Sequence, residues 1–276
     1  MSSAFLPRPG SSLGERVVGF VEGECFLLDH AARVRIEDRS VLWNGVRLDT
    51  LSALLVEAPL VPWPQPVAEP RPGESAAELQ RRGFAARERR ALRVSALRLL
   101  VGRVRVANDP ERAAELAYSA ALALERLELA KVPVRPWRIG PEASGQAGWI
   151  VVPLAAEHGA HEARSGPCFE IELGARLARA HLCVGDTWVA AGERETALEL
   201  RHARSSAEPP AAERELACAA LAALGLDFGC VHIADGAVAL VSSAPDLQAW
   251  DHVSDGRVAR ALASLITSPR TAPIHS

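Results

Sequence analysis

Two pairs of histidine and cysteine residues have the spacing and the chemistry of potential metal ligands. His181 and Cys183 are separated by one residue in an apolar segment, and Cys230 and His232 repeat that spacing in a second one. If each segment is a β-strand, both members of a pair point to the same face, because side chains alternate along a strand. Imidazole and thiolate groups suit zinc or copper better than magnesium. The other interpretation is two buried cysteines and two hydrogen-bonded histidines in a half-buried sheet, since this spacing matches no recognised zinc signature.

The composition predicts a soluble protein of the cytoplasm. The chain has 276 residues, of which 49% are hydrophobic and 24% are charged, and its net charge of −3 argues against a dedicated nucleic-acid binder. Five cysteines without a CxxC pair indicate free thiols in a reducing compartment rather than a disulfide framework. We find neither a secretory signal at the start nor an apolar run of the roughly 20 residues that a membrane span needs.

The first hundred residues predict short strands, an extended connector and a helix. Strands are expected at Val17–Val21, Glu24–Leu28, Val34–Ile36 and Ser40–Leu48, the last as a hairpin around Asn44-Gly45. Six prolines within Pro59–Pro72 forbid a helix and predict an extended connector over residues 58–73. Ser75 and Glu78 have capping-box spacing and open an arginine-rich helix that runs to about Leu100.

The remaining residues predict an alternation of helices and strands, and therefore a mixed α+β architecture. One helix starts at Asp109-Pro110 and continues through Leu129, and further helices are expected at Pro209–Leu224 and Gly256–Ile266. The expected strands are Val101–Val106, Trp149–Leu154, Phe169–Leu173 and two hairpins, Ala178–Val184 with Thr187–Ala191 and Gly229–Ile233 with Val238–Val241.

Several segments, in this order, resemble the ATP-grasp superfamily, in particular ligases that add glutamate to a ribosomal protein and glutathione synthetases. The segment ANDPERAAELAYSAALALERLELAKVPVRPWRI is similar to the helix that enters this fold, and WIVVPLAAEHG to a strand ending in V-V-K-P-L-x-G-x-G. CFEIELGARLARAHLCVGDTWVAA resembles a hinge strand followed by G-x-D-x-R-V-x-V-V-G-x-x-V-x-A-A. GLDFGCVHIADGAVALVSSAP is similar to G-L-D-F-a-G-V-D-I followed by V-L-E-V-N-x-x-P, and Ala220–Gly236 is the most specific part of this match. The resemblance implies a two-lobed fold over residues 106–276, preceded by a reduced β-rich region over residues 1–105.

The resemblance also implies a catalytic site whose charged residues are missing here. In the family, ATP lies between the lobes, two lysines contact its phosphates, and an Asp, a Glu and an Asn hold magnesium while a carboxylate becomes an acylphosphate. The lysines fall on Val152 and near Ala120, and the metal ligands fall on His232, Val241 and Ser243. All basic residues but one of this chain's 31 are arginine, so a retained phosphate cation should appear as arginine, and it does not. ATP with magnesium is therefore not expected as a cofactor.

Two remnants of such a site stay as candidates. The hinge and the segment after it retain Glu170, Glu172, Arg176 and Arg179, which we assign to the remnant nucleotide cleft. In the parent fold the strands with His181 and Cys183 and with Cys230 and His232 belong to one sheet. The four donors could therefore converge on a zinc ion where magnesium is lost.

These observations predict a degenerate, non-catalytic ATP-grasp-like protein that binds a partner protein or peptide, such as an active ATP-grasp enzyme. The alternatives are a diverged ATP-dependent carboxylate–amine or peptide ligase, and a protein that binds a metal or small ligand in the substituted cleft. Neither a nucleic acid nor a membrane is expected as a partner, and a homo-oligomer is compatible with the sequence.

Overall fold

The computed structural model describes most of the chain. It covers residues 2–8, 10–29, 33–57, 70–117, 119–140, 146–152, 168–173, 178–194, 200–204 and 209–268. Most of the predicted proline-rich connector lies outside these residues, and so does Arg176. Among the described helices none is long and apolar enough to cross a membrane.

The N-terminal region is built on a parallel sheet in the order β2-β1-β6-β7. Its strands are β1 (Ser2–Leu6), β2 (Glu24–Leu27), β6 (Ala53–Val56) and β7 (Arg105–Ala107), connected by α1 (Leu13–Phe20) and α2 (Ala76–Leu100). Phe5 packs on one side of this sheet and Leu6 on the other, so both faces are buried and the strands are almost wholly apolar. The predicted capping box at the start of α2 is confirmed.

The predicted strand at Val17–Val21 is wrong, because these residues belong largely to helix α1. Leu13 and Val17 are four residues apart and both are completely buried, which is the spacing of one helix face. The other strands predicted before the connector are confirmed. A three-stranded antiparallel sheet contains β3 (Val34–Glu37), β4 (Ser40–Trp43) and β5 (Val46–Arg47), with the turn at Asn44-Gly45. A 3₁₀ turn, Leu48–Thr50, follows.

Two helices and a small antiparallel sheet come next. The predicted helix to Leu129 consists of α3 (Pro110–Ala117) and α4 (Ala120–Leu129), because the Ser119 side chain accepts a hydrogen bond from the Leu122 N–H and caps a new helix. The small sheet has the order β8-β10-β9, with β8 (Trp137–Gly140), β9 (Trp149–Val152) and β10 (Cys168–Glu172).

The C-terminal sheet is antiparallel and has the order β13-β12-β11-β14-β15. Its strands are β11 (Arg179–Val184), β12 (Thr187–Arg194), β13 (Leu200–Arg204), β14 (Phe228–Ala234) and β15 (Ala237–Ser242). Both predicted hairpins are therefore confirmed. The helices of this part are α5 (Ala211–Leu224), α6 (Leu247–Val253) and α7 (Arg257–Thr267). Gly225 ends α5 in the left-handed conformation, with φ of 64°, as a glycine C-cap does.

Each face of the C-terminal sheet packs on a different apolar core. Cys183 and Val231 belong to the core that contains residues of α4 and α5. Leu182 and Cys230 belong to the core that contains residues of α1, α6 and α7. The two faces therefore have different neighbours, and the face on which a residue lies decides what it can contact.

Asn108 joins the N-terminal sheet to the C-terminal sheet. It follows β7 directly, is 2% exposed, and its amide donates to the Phe228 carbonyl at 2.8 Å. Its carbonyl oxygen accepts from the N–H groups of Asp227 at 2.5 Å and Phe228 at 3.0 Å. One side chain thereby satisfies three backbone groups at the start of β14 and fixes the two sheets relative to each other.

Candidate functional site

The register of β11 against β14 separates the four predicted metal ligands. His181 lies opposite Val231 in the ladder, and His232 lies opposite Ala180. Residues directly opposite each other share a face, so His181 and Cys183 lie on one side of the sheet and Cys230 and His232 on the other. The predicted four-ligand zinc site is therefore wrong. Among the described residues no group of three or more His, Cys, Asp or Glu side chains is placed to hold a metal ion.

His181 lies beneath α5, beside the ion pair of Arg179 with Glu213, rather than in a metal site. Glu213 of α5 places one oxygen 2.6 Å from Nη1 of Arg179 and 3.3 Å from Nε2 of His181. The imidazole is completely buried, and this burial lowers its pKa to about 4 although Glu213 acts in the opposite direction. His181 is therefore neutral at pH 7. Arg179 pairs with Glu213 on this side of the sheet, opposite to the side of His232, so its predicted assignment to the remnant nucleotide cleft is wrong.

Cys183 has its own partner on the same side of the sheet. Its sulfur lies 3.5 Å from that of Cys218 in α5, and both thiols are free. The hydrogen bond between the sulfurs and burial raise the pKa of Cys183, whereas the same hydrogen bond lowers the pKa of Cys218. The two cysteines form a thiol pair between α5 and β11.

The opposite side of the sheet carries the positions that hold magnesium in the motif. His232 lies opposite Leu240 and Cys230 lies opposite Ser242, whereas Val241 lies opposite Val231 on the α5 side. Of the β15 residues at these positions, Leu240 and Ser242 therefore lie on the side of His232, and Val241 does not. Ser242 also precedes Pro245 by three residues, which is the distance between Asn and Pro in V-L-E-V-N-x-x-P.

The predicted assignments to Val241 and Ser243 are therefore displaced by one residue. The Ser243 hydroxyl is 2% exposed and donates to the Ala113 carbonyl at 2.7 Å, so its role is to hold α3. The same correction applies to the motif arginine, which lies five residues before the glycine of R-V-x-V-V-G. Counted back from Gly185, that position is Ala180, directly opposite His232.

We call the side of the sheet with His232 the cleft face, and on β11, β14 and β15 it consists of Ala180, Leu182, Cys230, His232, Leu240 and Ser242. All of these except Ser242 are at most 5% exposed. These six residues include no carboxylate, lysine or arginine. Farther along the same row of the ladder, β13 places Arg204 opposite Gly192, which lies opposite Ala180. Magnesium takes oxygen ligands with carboxylates among them, and phosphates need cations or N–H donors. A thiol, an imidazole and one hydroxyl among aliphatic side chains do not fit magnesium-bound ATP.

The two predicted hinge glutamates are paired with arginines in the small sheet. Glu170 is 3% exposed and accepts a hydrogen bond from Nε of Arg138 at 2.8 Å. The guanidinium of Arg138 also lies 4.0 Å from the ring centre of Trp149, in a cation–π contact. Glu172 is half-buried, and one of its oxygens lies 4.0 Å from Arg135. Both carboxylates already have cationic neighbours within the chain.

A charged cavity that the sequence did not predict lies between the N-terminal region and α6. Its volume is about 600 Å³, and its lining includes Arg8, Ser11, Arg16, Glu57 and His252. Those residues come from three separate parts of the chain and match no motif, so only the tertiary structure reveals them.

Arg8 connects this cavity to the end of the cleft face. Its guanidinium donates to the carbonyl of Ala244 at 3.0 Å, two residues after Ser242. Glu57 is 1% exposed, and its carboxylate accepts from the Arg8 N–H at 2.7 Å and from the Ser11 hydroxyl at 3.1 Å. Burial raises the pKa of Glu57. The cavity thus offers both signs of charge, which suits a peptide better than an apolar ligand.

The architecture and this site define the ATP-grasp fold, and solved structures support that assignment. The ATP-grasp ligase PsnB, complexed with precursor peptide PsnA2 and AMPPNP, has a TM-score of 0.71 at 15% identity, covering 96% of this chain and 95% of that one. The macrocyclase MdnC from Microcystis aeruginosa MRC, bound with precursor peptide MdnA, has a TM-score of 0.69 at 9% identity, covering 96% and 99%. A RimK domain ATP-grasp protein from Sphaerobacter thermophilus DSM 20745 has a TM-score of 0.57 at 16% identity, covering 97% and 100%.

The chain shares the ATP-grasp fold with these structures over at least 96% of its length. At these identities the likeness establishes the fold and leaves the chemistry to the residues of the site. No protein-family profile matches the sequence, and no curated relative matches it.

Proposed function

We propose that the chain is a non-catalytic ATP-grasp protein, a pseudoenzyme, that binds a peptide or partner protein in the cytoplasm. The observation that carries this proposal is the cleft face, where Ala180, His232, Leu240 and Ser242 stand at the positions of an arginine and three magnesium ligands. Removing those charges removes the means of neutralising a phosphate in the transition state.

Peptide binding is supported by the solved structures that share this fold. PsnB and MdnC are both described in complex with precursor peptides, and PsnB has also been described with a minimal precursor, Mg and ADP. This chain spans at least 95% of the length of each of these proteins. Loss of the nucleotide site does not require loss of the surface that holds a peptide. We infer that peptide recognition is the retained activity.

The charged cavity is our candidate for the peptide site. Arg8 and His252 can bind carboxylates of a peptide, while the exposed Asp246 can bind its cations. A neighbouring gene for a complete ATP-grasp enzyme or for a small precursor peptide would identify the partner system. In that system this protein would present or hold the peptide for the active enzyme.

The experiment selects binding peptides from a phage-displayed random library on the purified protein. Synthetic copies are then titrated by fluorescence anisotropy against the wild type and against Arg8→Gln and His252→Ala. We expect saturable binding that each cavity variant weakens and that Arg33→Gln, an exposed arginine elsewhere, leaves unchanged. Failure to select any peptide with saturable binding would contradict the proposal, and so would binding that is insensitive to both cavity variants.

The ligase alternative is decided by a second readout on the same protein. A diverged ligase would form ADP from ATP only when magnesium and a peptide are both present. Peptide-dependent ADP formation would replace our proposal by that alternative, because a holding protein consumes no ATP.

A further inference from the structure

Helix α2 is unusual because most of its length packs against nothing in the described chain. It has 25 residues, so it is about 37 Å long. Its buried residues, Ala96, Leu97 and Leu100, all lie in its last five positions. Helices of globular proteins gain most of their stability from an apolar face packed on a core. Val94 packs partly on the core beside these buried residues, whereas most of the residues before it lack that support.

An apolar stripe follows the exposed side of this helix. Phe84 is 59% exposed and Leu92 and Leu99 are each 37% exposed. These residues are spaced by eight and seven positions, about two helical turns each, so they share one face over about 22 Å. Val101, which caps the helix, is 42% exposed. Four of the eight exposed large hydrophobic residues in the described chain therefore belong to this one helix and its cap.

The stripe is flanked by an excess of positive charge. Helix α2 contains seven arginines and two glutamates, a net charge of +5, within a chain whose net charge is −3. Arg82 pairs with Glu74 and Arg98 with Glu111. Arg81, Arg87 and Arg89 form no salt bridge with the described residues and lie three positions from Phe84 or Leu92, hence beside the stripe.

Like charges within the helix make this arrangement unfavourable in the absence of a partner. Arg89 and Arg93 are one turn apart, a spacing at which like charges destabilise a helix. The pKa of Arg93 is lowered by burial and by the charge of Arg89. A negatively charged partner would relieve this repulsion while it covered the apolar stripe.

We propose that the exposed face of α2 is a docking site for an acidic amphipathic helix of the partner. This inference rests on the proposed binding function and names the chemistry of its partner. A helix of apolar residues at positions i, i+3, i+4 and i+7 would cover Phe84, Leu92 and Leu99. Asp and Glu on the flanks of that helix would face Arg81, Arg87 and Arg89.

Two other occupants fit the surface less well. A nucleic-acid backbone would satisfy the arginines but would leave Phe84, Leu92 and Leu99 facing phosphates. A second copy of this chain would bring together two α2 helices that each carry a charge of +5. The combination of an apolar stripe and positive flanks is complementary to an acidic helix.

The test uses a phage-displayed library of amphipathic helical peptides, selected on the wild-type protein. Enriched peptides are synthesised and titrated by fluorescence anisotropy. We expect them to be acidic and to bind at least about tenfold more weakly to the double variant Phe84→Ser, Leu92→Ser, since a few apolar anchors dominate such contacts. We also expect at least about tenfold weaker binding to Arg81→Glu, Arg89→Glu, and weaker binding of the wild type at high salt.

A matched control distinguishes binding at the docking site from non-specific hydrophobic binding. Leu129 of α4 is 79% exposed and lies outside the stripe, so Leu129→Ser should leave binding unchanged. Circular dichroism of each variant verifies that the helix content is kept. Basic or neutral enriched peptides, or binding unaffected by the α2 variants, would overturn the proposal. Concentration-dependent dimers in light scattering that Phe84→Ser abolishes would overturn it in favour of a second copy.

The result distinguishes this inference from the function on which it rests. If peptides lose affinity to Arg8→Gln but keep full affinity for Phe84→Ser, Leu92→Ser, peptide binding stands and only the α2 site is refuted. If no peptide binds in either selection, both are refuted.

Discussion

Asn108 is the side chain whose removal should most directly loosen the contact between the N-terminal and C-terminal sheets. In Asn108→Ala, the N–H groups of Asp227 and Phe228 and the carbonyl of Phe228 lose their partner in a buried position. Each such loss costs about 1 to 1.5 kcal/mol, so we expect the free energy of unfolding to fall by about 3 to 5 kcal/mol. A fourth contact, from the Asn108 amide to the Ser243 carbonyl, is long at 3.4 Å and adds little to this loss of free energy.

The assay is urea unfolding followed by tryptophan fluorescence, and the neighbouring residue supplies the control. Asp109 is half-buried and accepts hydrogen bonds from the N–H groups of Glu111 and Arg112 at the start of α3. Asp109→Ala should therefore cost only about 1 kcal/mol, the usual value of a helix cap. If Asn108→Ala costs no more than Asp109→Ala, the side chain does not hold the sheets together and the argument is refuted.

Three further predictions concern protonation, thiol reactivity and helix capping. Burial lowers the pKa of His181 from 6.5 to about 4, so the unfolded chain binds a proton more readily than the folded one between these values. The free energy of unfolding should therefore fall as the pH drops from 7 to 4.5. The fall should be about 2 to 3 kcal/mol larger in the wild type than in His181→Asn. Equal pH profiles of the two proteins in urea unfolding would contradict this prediction. Cys218, whose pKa is lowered, should react with iodoacetamide faster at neutral pH than Cys25, whose pKa burial raises; peptide mass spectrometry gives the order, and earlier labelling of Cys25 would refute it. Ser75→Ala removes the capping box of α2 and should destabilise the first turn by about 1 kcal/mol, seen as faster hydrogen exchange there, while Ser95→Ala in the same helix should leave that exchange unchanged.

Local patterns predicted the elements whose signals are contained within a few residues. Turn residues such as Asn44-Gly45 and Asp235-Gly236 identify hairpins because they accept positive φ, and the structure has both. The strand prediction for Val17–Val21 was wrong because a run of β-branched residues is compatible both with a strand and with the buried side of a short helix. What decides between them is the contact of Leu13 and Val17 with the neighbouring sheet and α7, which is a tertiary property.

The site was predictable in its position but not in its register. The GLDFG turn located β14 and β15, and the order of segments identified the fold. The side on which a residue lies depends on strand pairing, and a shift of one residue moves it to the other face. That is why the motif carboxylate was assigned to Val241 instead of Leu240. It is also why Arg179, which pairs with Glu213 on the other face, was assigned to the nucleotide cleft.

The zinc hypothesis failed for a related reason. Alternation within one strand correctly predicted that His181 shares a face with Cys183, and Cys230 with His232. The register of one strand against the next is set by hydrogen bonding between the strands. The spacing of His and Cys within each strand does not reveal that register. The charged cavity was missed because Arg8, Glu57 and His252 are far apart in the sequence.

The central claim is that the cleft face cannot support magnesium-dependent use of ATP. The most direct measurement is ADP formation by the purified wild-type protein with ATP, with and without magnesium, beside the variant His232→Ala. Each missing charged ligand forfeits about 1 to 3 kcal/mol of stabilisation, and four such positions on this face are uncharged. We predict that the wild type forms ADP no faster than buffer alone, and that magnesium and His232→Ala change nothing. Magnesium-dependent ADP formation by the wild type that His232→Ala abolishes would contradict the claim.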